Sequence, residues 1–249
     1  MSRGLGFEAS YAFSRSTDDT SMGRSHGGLI NSEARLVDWR RDVHHGLSGY
    51  DMRHRFVGNF TYQFPAPVFQ RAFARKLISG WQLNGITTLQ MGTPTTPLIG
   101  FDRANSLGEN PATTQRTSLS PSLQGPVPIC PCNVPASLGG GRQGAPERYF
   151  DPTVFVLPAL GTYGNAGRNI ITGPGLINFD FALVKNTAVT ERLNLQFRAE
   201  GFNLFNNVNW AMPSARIFET NGAIASSAGA ITRTTTTGRQ FQLALKLLF

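Results

Sequence analysis

Six stretches of this chain alternate apolar and polar residues with a period of two, and no window shows a comparable 3.6-residue pattern. Period two is strand geometry, because successive side chains of a pleated strand point to opposite faces. In "GLGFEASYAFS", Leu5, Phe7, Ala9, Tyr11 and Phe13 oppose Gly6, Glu8, Ser10 and Ser14. In "RHRFVGNFTYQF", Phe56, Phe60, Tyr62 and Phe64 oppose Arg55, Asn59, Thr61 and Gln63. "GWQLNGITTLQM" sets Trp81, Leu83, Leu89 and Met91 against Gln82, Asn84, Thr88 and Gln90. "INFDFALVK" sets Ile177, Phe179, Phe181 and Leu183 against Asn178 and Asp180. "RLNLQFRAEGFNLF" sets Leu193, Leu195, Phe197 and Ala199 against Asn194, Gln196, Arg198 and Glu200. The sixth stretch, "RQFQLALKLLF", carries Phe241, Leu243, Leu245, Leu247 and Phe249 on one parity and Gln240, Gln242 and Lys246 on the other.

Length separates the two architectures that such alternation allows. The stretches run from nine to fourteen residues. Strands of soluble domains are mostly about five or six residues long, whereas a tilted strand needs roughly nine to eleven to cross a bilayer. The connections point the same way. "PAPVFQRAFARKL" and "NTAVTE" are short, residues 15–52, 92–175 and 207–237 are long, and the two kinds alternate strictly. Outer-membrane barrels have this asymmetry, with short periplasmic turns and long extracellular loops. If the last strand ends at the periplasmic rim, every long loop falls outside. Phe64, Trp81 and Phe249 then mark the inner interface, and Phe205, Trp210 and Phe241 the outer one. The expectation is an all-β fold: about six antiparallel strands of a transmembrane β-barrel with long extracellular loops. A secreted β-sandwich is the alternative, and it calls for shorter strands and even turn spacing.

Parity also nominates residues. Asp180, Gln196, Arg198 and Glu200 are candidate lumen-facing, substrate-binding positions. Past Gly201 the apolar parity flips to Phe202 and Leu204, which a β-bulge at Gly201 or inward packing of both residues explains.

Charged residues make up 15% of the chain, below the roughly 25% of soluble proteins. The net charge of +8 raises nucleic acid or an anionic membrane surface as partners. No Lys/Arg-rich run exists, the densest pairs being Arg40–Arg41 and Arg75–Lys76, so nucleic acid is not expected. No apolar run reaches the length of a transmembrane helix, and "MSRGLGFEAS" has no apolar core of a signal peptide. Cys130 and Cys132, in "PICPCNVP", form half a metal site with no histidine nearby. A local disulfide is favoured over two free thiols there. His26, His44, His45 and His54 read as loop or strand-end residues, and no Ser/His/Asp or paired-carboxylate constellation suggests an enzyme. No cofactor or metal is expected.

Four stretches resemble the C-terminal part of TonB-dependent outer-membrane receptors of the Oar-like type. "YDMRHRFVGNFTYQFP" is similar to that family's D-x-R-H-R-F strand and Pro turn. "GWQLNGITTLQMGTPTTP" resembles its G-W strand ending in G-x-P. "GTYGNAGRNIITGPGLINFDFALVKN" resembles its G-N-x-G-R-N…G-P-G segment, and "LNLQFRAEGFNLFNNVNW" its R-x-E-x-F-N-L-F-N strand. The resemblance implies a 22-stranded barrel around an N-terminal plug, importing a substrate with energy delivered through TonB. It implies as partners outer-membrane lipid and lipopolysaccharide, the barrel-assembly machinery, and TonB through an N-terminal part. The sequence holds neither plug nor signal peptide, and six strands fall short of the smallest single-chain barrels of about eight. Residues 1–249 are therefore expected to be the C-terminal portion of a longer barrel. An adhesive or structural barrel without transport is the second functional expectation. The terminal Phe249, with Phe241, Leu243, Leu245 and Leu247, is expected to act as the assembly signal.

Overall fold

The computed structural model describes residues 4–18, 23–25, 28–30, 45–65, 76, 78–105, 118–119, 146–162 and 164–249. Cys130, Cys132, His26, His44 and the Arg40–Arg41 pair lie outside the described residues. All six alternating stretches are strands: β1 (Leu5–Phe13), β2 (His54–Gln63), β3 (Trp81–Gln90), β4 (Leu176–Ala188), β5 (Asn194–Phe202) and β6 (Gln240–Leu248). They form one antiparallel sheet in chain order, with β1 and β6 as its outer strands.

The register brings every apolar parity to the same side. One row across the sheet reads Phe7, Phe60, Gly85, Phe181, Gly201, Phe241. The glycines make room for the rings. A Cβ on Gly85 would stand 2.3 Å from Phe60 Cε1, and Phe60 meets Phe181 edge-on across it at 6.1 Å. A Cβ on Gly201 would stand 3.2 Å from Phe241 Cε1. Glycine weakens a strand by itself, and here the neighbouring aromatic covers the bare backbone. The face is nonetheless open to its surroundings: Phe7 is 78% exposed, Leu243 71%, and Phe241 and Leu245 68% each. Contiguous apolar surface on this scale marks a surface that meets lipid or another protein.

Two boundaries differ from the sequence expectation. Gly201 is not a bulge: pairing runs unbroken from Asn194↔Leu248 to Phe202↔Gln240. Phe202 simply takes the polar face, and the strand stops there because Asn203 adopts a left-handed φ of 48°, which asparagine tolerates. Leu204 and Phe205 belong to a turn rather than to the strand. Leu204 N donates to Phe179 O at 2.8 Å, and the Phe205 ring returns onto Phe179 and Phe181 at 5.1 and 6.2 Å. β4 also runs on to Ala188, so the hairpin to β5 is tighter than "NTAVTE" suggests. Val189 N and Thr190 N both donate to Leu193 O.

The packed interior is not in the sheet. It is built from segments between strands: Ile99, Phe150, Phe155, Ile171, Ile217 and Phe218 are at most 4% exposed and form one cluster with Tyr149, Val154, Ala166, Ile170 and Ile231. Trp210 packs on this cluster and does not join an aromatic belt on the apolar face. A lobe with its own core thus stands at the end of the sheet where the long connections lie.

A close backbone crossing joins lobe to sheet. Gly173 N donates to Thr93 O at 3.0 Å, and a Cβ on Gly92 would fall 2.0 Å from Gly173 O. The obstacle is main chain, which cannot swing aside as a side chain can. Gly92→Ala is expected to cost about 1–3 kcal/mol, measured by urea unfolding of the refolded protein in detergent micelles. A wild-type midpoint would refute the crossing.

Candidate functional site

Two regions could meet a solute: the polar face of the sheet and the lobe above its end. On the polar face, short side chains bond one another across and along the strands. Asn59 Nδ2 donates to Glu8 Oε2 at 3.3 Å, Thr61 Oγ1 to Asn84 Oδ1 at 3.0 Å, and Gln82 Nε2 to the same Asn84 oxygen at 2.6 Å. Its charges balance, with Glu8, Asp180 and Glu200 set against Arg55, Arg198 and Lys246. A face of amides, hydroxyls and paired charges holds water and polar solutes without selecting for ion sign.

All four nominated positions are on this face. Gln196, Arg198 and Glu200 follow one another along β5. Arg198 Nη2 donates to Glu200 Oε1 at 2.6 Å, and Gln196 Nε2 to Asn186 Oδ1 at 2.8 Å. Asp180 stands apart from them on β4. It accepts from Asn178 Nδ2 and from the backbone N–H of Asn203, both at 2.8 Å, and so holds the turn that ends β5. Phe241, Leu243, Leu245 and Leu247 share the apolar face of β6, and Phe249 lies just past its end.

The asparagines of "FNLFNNVNW" fasten the lobe to the strands. Asn203 Nδ2 reaches Asn207 O and Thr237 O, and its Oδ1 accepts from Asn207 N. Asn209, 3% exposed, pairs with Ile177 as a strand residue would: its Oδ1 accepts from Ile177 N at 2.8 Å and its Nδ2 donates to Ile177 O at 3.1 Å. Asn209→Ala removes both bonds to the Ile177 main chain at a partly buried junction. The expected loss is about 1–3 kcal/mol, read as a lower urea midpoint. An unchanged midpoint would deny Asn209 this role.

The "GRN" of the third quoted motif performs the same task between loops. The Arg168 side chain is fully buried, and its Nη2 donates to the carbonyl and carboxylate of Asp18 and, at 3.4 Å, to Gly46 O. Asn169 Nδ2 donates to Leu47 O at 2.8 Å, and its backbone N–H to Thr96 Oγ1 at 3.0 Å. Thr17–Asp18 and Gly46–Leu47 are themselves paired. Both stems of the first long connection are therefore tied to residues 168–169. Elsewhere in the lobe, Asp151 caps the short 3₁₀ turn Pro152–Val154. Burial alone would raise its carboxyl, but bonds from Thr153 N, Thr153 Oγ1 and Arg148 outweigh it and hold Asp151 below the usual carboxylate range.

Residues 1–242 match a family model described as an outer membrane beta barrel domain. The chain belongs to that family. No curated protein and no solved structure matches it. This is a protein of the bacterial outer membrane. No described helix is long and apolar enough to cross a membrane, which is immaterial to a family that crosses with strands. One end of the apolar face carries an interfacial anchor. Lys185 Nζ stands 5.1 Å over the Trp81 ring and donates to Lys76 O and Ser79 O at 3.0 and 2.8 Å. A lysine that turns its charge back to the strand ends, beside a tryptophan, suits the boundary between hydrocarbon and water.

The lobe also holds a cleft of about 650 Å³ lined by Trp210, Ile231, Arg233, Glu147 and neighbouring hydroxyl residues. Sequence reasoning did not find it, because its residues come from three segments with no shared periodicity. The run "TRTTTTG" is its one legible sign.

Proposed function

We propose that the six strands are the C-terminal barrel segment of a TonB-dependent receptor that imports a substrate across the outer membrane. The observation that carries this reading is the open sheet. β1 and β6 are outer strands of a six-stranded meander whose apolar side faces lipid. Unpaired strand edges in hydrocarbon cost several kcal/mol for each unsatisfied group, so further strands must close the barrel. In that barrel the polar face with Asp180, Gln196, Arg198 and Glu200 lines the lumen, the lobe is extracellular, and the two hairpins lie in the periplasm. The four stretches similar to Oar-like receptors fall on the features that build this arrangement: β2, β3 with its Gly92 crossing, the Arg168–Asn169 ties, and the end of β5. Phe249 and the alternate apolar residues before it serve barrel assembly.

The test is covalent capture in the native host. An affinity tag placed at the lobe surface and crosslinking in intact cells should recover TonB, together with peptides of a plug on the same polypeptide. Recovery of a 27.1 kDa species alone, with no TonB, would sink the proposal. A second reading, a surface platform without transport, is favoured by the packed core standing in the lobe. It requires the same capture experiment to return external partners and no TonB.

A further inference from the structure

We propose that the lobe cleft is a binding site for neutral carbohydrate, with Trp210 in its lining. The lining is preorganised. Residues 209–214 run beside 230–235, with Ala211 N donating to Arg233 O at 3.0 Å, Ser214 N to Ala230 O at 2.9 Å and Thr235 N to Asn209 O at 2.8 Å. Ile231 N is held by Pro146 O, which sets Glu147 at the rim. Trp210, partly buried against the lobe core, is therefore held in a fixed place in the lining, with Ile231 behind it.

The threonine run divides by task. Thr235 and Thr236 are spent on Asn209: Thr235 Oγ1 donates to its carbonyl at 3.1 Å and Thr236 Oγ1 accepts from its Nδ2 at 2.9 Å. Thr232 and Thr234 instead line the cleft, with Ser226, Arg233 and Glu147. Among the described lining residues the charges are one of each sign, which gives no preference for an anion or a cation. A lining that combines an indole with hydroxyls, one guanidinium and one carboxylate matches a sugar, whose axial C–H groups stack on an aromatic ring while its hydroxyls both donate and accept. The volume lies within the roughly 300–1,000 Å³ of small-molecule sites.

This inference deepens the receptor reading by naming a substrate class, but its test needs no transport. The full-length protein, purified from the outer membrane of its host into nanodiscs, is titrated with maltotriose, cellotriose and N,N′,N″-triacetylchitotriose, with saturation-transfer NMR and calorimetry as readouts. At least one trisaccharide is expected to bind. Thr232→Val with Thr234→Val, and separately Glu147→Gln, should weaken it by about tenfold each, the loss of a hydrogen-bonded contact. These rim changes leave the lobe core intact. Trp210→Phe should retain part of the affinity and Trp210→Ala lose it, with the urea midpoint showing that each variant is folded. Failure of all three sugars to bind the folded protein, or affinity unmoved by the rim variants, overturns the site. Binding without capture of TonB would keep the site and sink the receptor reading; capture without binding would do the reverse.

Discussion

Asp18→Ala is expected to detach the stems of the first long connection from the lobe while the sheet stays folded. The Arg168 guanidinium is fully enclosed, and the Asp18 carboxylate is its ion-pair partner. Removing one member of a buried ion pair weakens the compensation of the other's charge, a loss of about 3–5 kcal/mol when both members are buried. Asp18 itself is 30% exposed, so the lower end of that range applies. The loss is expected to be local, because Arg168 and Asn169 tie the stems to the lobe and not to the sheet, while the stems bond each other from Ser16 N to Asp51 Oδ1 at 2.7 Å. Amide hydrogen exchange is the measurement. Protection should fall at Gly46–Ser48, where Ser48 N donates to Ser16 O at 2.9 Å, and remain along β2 to β5. Uniform loss across the sheet, or no loss at Ser48, would contradict the tie.

What could be read from the sequence follows from what has a period. The pleat fixes period two, and a lipid on one side with water on the other writes that period in apolar and polar letters. All six strands and both faces were therefore legible, down to the place of Asp180, Gln196, Arg198 and Glu200 on one side. The end of β5 was not, because Phe202, Leu204 and Phe205 look like a strand continuing after a slip. The signal was present in Asn203 and Asn206, both at positive φ, but asparagine is only permitted there and not compelled. The lobe was illegible for a different reason. Ile99, Phe150, Ile171 and Ile217 lie in four separate stretches of chain, and contacts over such separations leave no local pattern. The bonding of Asp180 to the Asn203 amide was hidden likewise, since it depends on the turn.

Leu243→Arg is expected to abolish or sharply reduce assembly, while Gln242→Arg, one residue away, leaves it near normal. The contrast comes from the two faces of β6. Leu243 is 71% exposed and makes little packing contact, so in a protein surrounded by water its replacement by arginine would cost almost nothing. In the outer membrane the same side chain lies against hydrocarbon near the middle of the strand. An arginine there costs about 2–4 kcal/mol, falling toward zero near the interfaces. Gln242 has the opposite parity, across from Glu200 on β5, so an arginine at that position gains a carboxylate neighbour. Depth supplies an internal control. Leu247, one residue before the end of β6 at Leu248, is nearer the boundary, and Leu247→Arg should be milder than Leu243→Arg because a long side chain there reaches water. The readout is the amount of folded, heat-modifiable protein in outer-membrane fractions. The expected order of loss is Leu243→Arg first, then Leu247→Arg, then Gln242→Arg. Equal tolerance of all three would mean that the apolar face meets water or protein instead of lipid, and the membrane-spanning reading of the sheet would fall with it.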